Sequence, residues 1–146
     1  MRIYLDTCSL QRPLDDRHQV RIALEAEAVL VVLALCESGE AELLSSEALM
    51  FEIQRIPNPH RRENAFEMLR LATEVIEITP DIESCARRMM EGGIKPLDAL
   101  HLAAATKASA DYFCTCDDRL INKGRGIEGL KMVVVSPLEL IERLGK

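Results

Sequence analysis

Short runs of aliphatic and β-branched residues alternate with helical patterns along this chain of 146 residues. The candidate strands cover 2–6, 41–45, 74–78, 111–116 and 131–135. Strands that are separated by helices require crossover connections, and these produce a parallel sheet with helices on both faces. The alternation therefore predicts an α/β fold, a three-layer α/β/α sandwich with a central parallel sheet, formed by one domain over 1–146.

The predicted helices cover 18–36, 46–56, 61–72, 80–91, 96–109, 117–123 and 137–144. Ser46 is a candidate N-cap for the second of them. Gly92 and Gly93 form a stop signal after the fourth, and Pro96 is typical of the first turn of the next. The later part of 18–36 is apolar nearly all round, which indicates burial in the core or in a homodimer interface.

Composition excludes several classes of protein. A hydrophobic content of 48% excludes a disordered chain. The formal net charge of −6 argues against nonspecific binding of polyanions by a basic surface. It does not exclude a nucleic-acid enzyme, because carboxylates that bind metal add to the acidic count. Aromatic residues make up only 3%, so a base-stacking platform is not expected.

The sequence contains no segment that indicates export or membrane insertion. The longest apolar run, 28–36, is half of the roughly 18 residues that a spanning helix needs. The first ten residues include Asp6 and do not form a signal peptide. The five cysteines are an odd number without a disulfide framework. We therefore expect a cytoplasmic protein with reduced, mostly buried thiols and no membrane contact.

Four acidic residues occupy places where a parallel sheet collects its functional groups. Asp6 ends the first strand, and Asp117 follows the fourth. Asp98 lies in the first turn of the helix that begins at Pro96, and Glu52 lies on the helix after the second strand. Ligands of such sheets bind beyond the carboxyl ends of the strands. We therefore expect these four side chains to share one crevice.

Each acid also has a simpler explanation when it is taken alone. An aspartate after a strand is often a turn residue or an N-cap, Asp98 could serve the helix dipole, and Glu52 could be solvated. Together, however, four converging carboxylates would repel one another unless a cation were bound. Mg²⁺ or Mn²⁺ fits best, because these hard ions prefer oxygen ligands.

Four segments in this order resemble PIN-domain proteins, which include the VapC-type toxin ribonucleases. They read IYLDTCSL, EALMFEI, KPLDALHLAAA and DYFCTCDDRL, and the resemblance covers 2–135. It implies a metal-dependent endoribonuclease whose catalytic, metal-binding acids are Asp6, Glu52, Asp98 and Asp117. Thr115 matches a hydroxyl residue beside the site.

Two assignments and several properties stay open at this point. Asp118 competes with Asp117, and Glu47 competes with Glu52, although the family pattern favours Asp117 and Glu52. The resemblance implies Mg²⁺ or Mn²⁺ ions that bind the scissile phosphate and activate water, without fixing one ion or two. It also implies an RNA substrate, although the sugar is not determined, together with an antitoxin protein partner, while the expectation of a homodimer comes from the apolar run 28–36. The alternative is a non-catalytic PIN-like module that binds RNA or protein.

The remaining motifs favour structural interpretations. Gly124, Gly126 and Gly129 spell G-x-G-x-x-G, but a strand follows instead of a helix, so we expect a loop and no nucleotide site. Cys114 and Cys116 are interpreted as buried structural thiols. His101 follows Asp98 by three residues and is expected to lie in the core or to contact a ligand residue.

Two basic clusters flank the predicted crevice in sequence and could contact RNA phosphates. For any single member, however, a solvated or ion-paired position is favoured. The clusters are Arg12, Arg17, His18 and Arg21, and Arg55, His60, Arg61 and Arg62.

Overall fold

A computed structural model describes residues 1–145, in which five strands alternate with eight α-helices. The strands are β1 (Arg2–Leu5), β2 (Glu42–Ser46), β3 (Ala72–Ile76), β4 (Tyr112–Cys114) and β5 (Val133–Val135). The helices are α1 (Thr7–Gln11), α2 (Val20–Glu37), α3 (Glu47–Gln54), α4 (Pro59–Leu69), α5 (Pro80–Glu91), α6 (Pro96–Lys107), α7 (Asp118–Arg125) and α8 (Pro137–Leu144). Lys146, the last residue of the predicted domain, lies outside the described residues.

All five strands are parallel, in the order β3-β2-β1-β4-β5. The central strand is buried on both faces, since Ile3, Tyr4 and Leu5 expose no surface. The predicted three-layer α/β/α sandwich is thus confirmed. The chain leaves β1 toward β2 on one side and later adds β4 on the other. This reversal at β1 opens the crevice in which such sheets bind ligands.

Side-chain caps begin the helices where the sequence provides them. The Ser46 hydroxyl accepts a hydrogen bond from the Leu49 amide at 3.0 Å, as the sequence predicts. Thr79 caps α5 in the same way, and Ser136 forms a capping box with Glu139 at α8. Four helices, α4, α5, α6 and α8, also have proline at their first positions.

The region after β1 and the ends of the strands differ from the sequence prediction. The chain turns at once into α1 and a 3₁₀ turn, Arg12–Leu14, neither of which was expected. These elements are too short to display helical periodicity, so no sequence pattern indicates them. The fourth strand ends at Cys114, so Cys116 lies beyond the sheet. Of the three loop glycines, Gly124 lies within α7, where an added Cβ would be 3.0 Å from Val134.

At the amino end of the sheet, Arg2 is surrounded by acids. Its guanidinium donates to Glu42 at 2.9 Å, to Glu74 at 2.6 Å and to the carbonyl of Ala108. Its backbone amide donates to the Asp111 carboxylate at 2.7 Å. We call Arg2, Glu42, Glu74 and Asp111 the amino-end cluster. A cation from the chain itself thus pairs with two of the three acids of this cluster.

Helix α2 has one buried side and one exposed apolar side. Val29 and Val32 pack in the core, whereas Val20, Leu24 and Val31 are 74%, 50% and 47% exposed. Burial of the later part of the helix in the core is therefore confirmed for the side with Val29 and Val32, and burial of Val31 in a homodimer interface stays a prediction. No helix in the described part of the chain combines the length and the apolar character that membrane crossing requires.

Candidate active site

Asp6 lies at the carboxyl end of the central strand and is almost completely buried. Its carboxylate caps α1 by accepting from the Ser9 amide at 3.0 Å, and it also accepts from the Cys8 thiol at 3.1 Å. Its own amide donates to the Cys114 carbonyl at 3.2 Å, which attaches it to β4. Burial raises the pKa of Asp6, while hydrogen bonds from Thr115, Cys8 and the Ser9 amide act in the opposite direction.

Glu52 lies on α3, and two side chains from other elements hold its carboxylate. The Thr7 hydroxyl and the His101 ring nitrogen Nε2 both contact Oε1, the latter at 3.0 Å. Burial would raise the pKa of Glu52, but the hydrogen bonds from His101 and Thr7 outweigh it and hold the pKa below its ordinary value. Glu52 is therefore a fixed, ionised carboxylate.

A chain of buried polar groups continues from His101 into the core. His101 Nδ1 lies 2.6 Å from the Tyr4 hydroxyl, which lies 2.7 Å from the Ser46 hydroxyl. The Tyr4 ring stacks on Phe113 with 5.3 Å between the ring centroids. His101 is 1% exposed, so it is both a core histidine and the partner of Glu52. The same network thus connects the core with the site.

Contacts between neighbouring residues place the four acids at the carboxyl end of the sheet. Glu52 contacts Thr7, which follows Asp6, and His101, which lies one turn of α6 after Asp98. Asp117 follows β4, the strand that pairs with β1. Burial raises the pKa of Asp98, and so do the charges of Asp6, Asp117 and Glu52, while His101 lowers it.

Asp117 and Asp118 are adjacent but have different surroundings. Asp117 caps α7 by accepting from the Arg119 amide at 2.9 Å, and its own amide donates to the Thr115 hydroxyl at 3.1 Å. Asp118 is paired with Arg21 at 2.6 Å, and this bond lowers the pKa of Asp118. The geometry therefore favours Asp117 over Asp118 as the fourth acid.

Glu47, the competitor of Glu52, faces another part of the molecule. Its carboxylate accepts from the Ile78 amide at 2.6 Å and so ties the start of α3 to the segment after β3. It takes no part in the contacts with Thr7 and His101 that hold Glu52. The geometry therefore favours Glu52.

The donor chemistry of the site fits a hard divalent cation. In the ion pairs of residues 1–145, no lysine or arginine pairs with any of the four acids, and the His101 ring contacts Glu52. Within the same residues, no three His, Cys, Asp or Glu side chains lie close enough together to hold a metal ion as placed. Ligation by three of the acids therefore requires their carboxylates to move closer together.

The sequence model of the PIN domain matches residues 3–126. The chain belongs to the PIN domain family. This match includes β1, β2, β4 and all four acids of the candidate site.

Solved structures have the same fold at low sequence identity. One is VapBC2 from Rickettsia felis, solved with a DNA fragment from the promoter of the two proteins. It matches with a TM-score of 0.58 and 13% identity, and the match covers 93% of this chain and 98% of that chain. PAE2754 from Pyrobaculum aerophilum matches with a TM-score of 0.58 and 16% identity, covering 99% and 90%. VapC20 from Mycobacterium tuberculosis, described as a sarcin-ricin loop cleaving toxin, matches with a TM-score of 0.56 and 20% identity, covering 84% and 95%. No curated protein matched in the sequence search.

Two thiols, Cys8 and Cys116, lie beside the acids of this PIN domain. The Cys116 amide donates to Cys8 Sγ at 3.4 Å. The neighbouring Cys8 thiol and the guanidinium of Arg12 lower the pKa of Cys116, whereas the neighbouring Cys116 and burial raise the pKa of Cys8. The two cysteines are 108 residues apart in the chain, so no local motif could have paired them.

The basic clusters are largely engaged within the domain. Arg61 reaches back to Asp15 and to the carbonyl of Leu14, which fixes the segment after α1. Arg12 contacts both Asp15 and the buried carboxylate of Glu25. The ion-paired interpretation therefore describes these two arginines better than RNA contact does.

Proposed function

We propose that this PIN domain, over 1–146, is an endoribonuclease that uses Mg²⁺ or Mn²⁺ and acts in the cytoplasm. The observation that carries the proposal is the group of four acids at the carboxyl end of the sheet. Burial and the charges of Asp6, Asp117 and Glu52 raise the pKa of Asp98, and within residues 1–145 no lysine or arginine forms an ion pair with any of the four acids. Asp6 and Asp117 also cap helices, but capping does not account for the whole group, since the repulsion between Asp98 and the other acids costs folding free energy until a cation binds.

Asp6, Asp98 and Asp117, together with Glu52, are the proposed ligands. When bound, the ion would activate water and stabilise the charge that develops on the phosphate. His101 and Thr7 hold Glu52 in one orientation and keep it ionised. Thr115 fixes the start of the segment that carries Asp117 through the Asp117 amide.

RNA is the substrate that we propose on the strength of the family and of one structural neighbour. VapC20 cleaves the sarcin-ricin loop, and by analogy we propose that this chain cleaves RNA phosphodiester bonds. VapBC2 provides the analogy for a toxin role with an antitoxin protein as partner. Matched RNA and DNA oligonucleotides of one sequence test the choice of sugar.

We also propose a homodimer that buries the exposed apolar side of α2. Val20, Leu24 and Val31 form this side and have no cover within the protomer. Light scattering of the purified protein should give twice the monomer mass. Leu24→Asp should return the mass to that of a monomer, whereas an unchanged mass would place the interface elsewhere.

The decisive experiment measures cleavage of a mixed RNA pool in Mn²⁺ and in EDTA. Wild-type protein should cleave only with metal, and Asp6→Asn should abolish cleavage because it removes a buried central carboxylate. Asp118→Asn is the matched control, since this acid pairs with Arg21, and its cleavage rate should stay close to that of wild type. Equal cleavage by wild type and Asp6→Asn would overturn the proposed site.

The second candidate is a non-catalytic PIN-like module that binds RNA or protein. It is favoured by one observation, that no three potential ligands in residues 1–145 are close enough to share an ion. Such a module would show no stabilisation by Mn²⁺ and no cleavage. An endoribonuclease would show both, since an ion that binds only the folded state raises the melting temperature.

A further inference from the structure

The contact between Cys8 and Cys116 brings the sulfur of one cysteine close to the backbone of the other. Cys8 Sγ lies 3.4 Å from the Cys116 nitrogen, and the Cys116 Cβ is only two bonds away from that nitrogen. Cys8 Sγ also lies 3.4 Å from the hydroxyl of Thr115, so this sulfur rests against the segment that carries Cys116. A disulfide between the two would form when the Cys116 side chain rotates toward Cys8.

The pair is reachable from solvent at one end and enclosed at the other. Cys8 is partly exposed, whereas Cys116 is 8% exposed and contacts the Ser9 hydroxyl at 3.9 Å. A small oxidant can therefore reach Cys8, while Cys116 is enclosed beside it and can react with the oxidised sulfur. Cys36 is also partly exposed and Cys85 is buried, and neither has a thiol contact in the described residues, so both serve as internal controls.

The position of the pair links it to the candidate site. Cys8 lies two residues after Asp6 and donates its thiol hydrogen to that carboxylate at 3.1 Å. Cys116 immediately precedes Asp117. A bond between the two sulfurs would therefore remove a donor from Asp6 and join the two segments that carry these acids.

We propose that Cys8 and Cys116 are a redox-sensitive pair that hydrogen peroxide converts to a disulfide, and that this bond switches off the acidic site beside it. In the first step a thiolate attacks one peroxide oxygen, the O–O bond breaks, and hydroxide leaves and is protonated to water. In the second step the other thiol attacks the sulfenic sulfur and displaces a second water. Two thiols are oxidised by two electrons, and one peroxide is reduced to two water molecules.

The first test follows the bond itself and does not depend on any enzymatic activity. Purified protein is treated with hydrogen peroxide, the remaining free thiols are alkylated, and the digest is analysed by mass spectrometry. We expect a peptide pair joined through Cys8 and Cys116, with loss of two hydrogen atoms, that dithiothreitol separates. Cys36→Ser should form the same bond, and Cys116→Ser should not. Oxidation of Cys8 to a sulfinic acid without a crosslink, or a bond to Cys114 instead, would overturn the proposal.

The second test asks whether the bond switches the site, and this part rests on the proposed nuclease function. The oxidised protein should cleave RNA about 10- to 100-fold more slowly, because small displacements of reacting groups have effects of this size. Dithiothreitol should restore the rate, and Cys116→Ser should keep its own rate after peroxide. A full rate with the crosslink in place would overturn the switch. Absence of cleavage by the reduced protein would overturn the nuclease instead, while the mass measurement still decides the disulfide.

Discussion

The two ends of the central sheet both collect acidic side chains, but they neutralise them differently. At the amino end, the Arg2 guanidinium donates to Glu42, Glu74 and the Ala108 carbonyl, so a cation of the chain itself pairs with two of the acids. At the carboxyl end, Asp6 and its three companions form no ion pair with lysine or arginine among the residues described. The cation of the amino end stabilises the fold, whereas we propose that the acids of the carboxyl end bind a cation from outside. Matched substitutions at the two ends of the sheet therefore distinguish the two acidic clusters.

The largest difference should appear in catalysis. Asp98→Asn should slow metal-dependent RNA cleavage by about 100- to 1000-fold, the size expected when one preorganised electrostatic group is lost. Glu42→Gln makes the same change of charge at the amino end and should leave the rate unchanged. Rates measured on one RNA substrate in Mn²⁺ compare the variants. Similar cleavage rates for Asp98→Asn and Glu42→Gln would mean that the acids at the carboxyl end have no special role in catalysis.

Metal should stabilise the protein through the carboxyl end only. Mn²⁺ at about 100 times its dissociation constant should raise the free energy of unfolding by about 2.7 kcal/mol. Glu74→Gln should keep this increment, and Asp98→Asn should lose most of it. Denaturation with and without Mn²⁺ provides the measurement. An increment that survives in Asp98→Asn would exclude Asp98 as a ligand.

Loss of the internal cation should weaken the fold without any metal present. Arg2→Met leaves Glu42, Glu74 and the Ala108 carbonyl without their donor, and we expect a loss of about 1–3 kcal/mol in metal-free buffer. Arg70→Met is the control, because its contact with Glu67 at 3.4 Å is on the surface and contributes little. Chemical denaturation measures both variants, and equal stability would mean that Arg2 is dispensable.

The smallest effect concerns pH. The pKa of Asp98 is raised by burial and by Asp6, so the folded protein keeps this proton to a higher pH than the unfolded chain does. Without metal, the unfolding free energy of wild type relative to Asp98→Asn should therefore fall as pH rises above 3.8, the ordinary value. It should level off above the raised pKa. Denaturation across this range tests the sign, and a difference that grows with pH would contradict it.

Local signals in the sequence were enough for two of the four helices that begin with proline, whereas α4 was predicted at 61–72 instead of Pro59–Leu69 and α6 was predicted two residues too long. Helices α5 and α8 have the predicted bounds, since proline follows an N-capping side chain in both. The fourth and fifth strands were predicted too long, because residue type does not reveal where pairing with a neighbouring strand stops. The segment Thr7–Gln11 was missed because five residues are too few to display a period.

The acids of the candidate site were found from their places in the chain, but their partners were not. His101 is 49 residues from Glu52, and Arg61 is 46 residues from Asp15. Contacts at such distances depend on how strands and helices pack, which a single sequence does not encode locally. For this reason, Arg12 and Arg61, which the sequence places among candidates for RNA contact, instead form ion pairs within the domain.

The stacking of Tyr4 on Phe113 has a consequence for how the molecule opens. The hydroxyl of this fully buried ring touches His101, which holds Glu52, so the carboxyl end belongs to the most protected part of the structure. In a hydrogen-exchange experiment, the amides of Tyr4, Leu5 and Asp6 should exchange only through global unfolding. The acids then assemble in the same cooperative event as the core, and no partly unfolded form keeps one without the other.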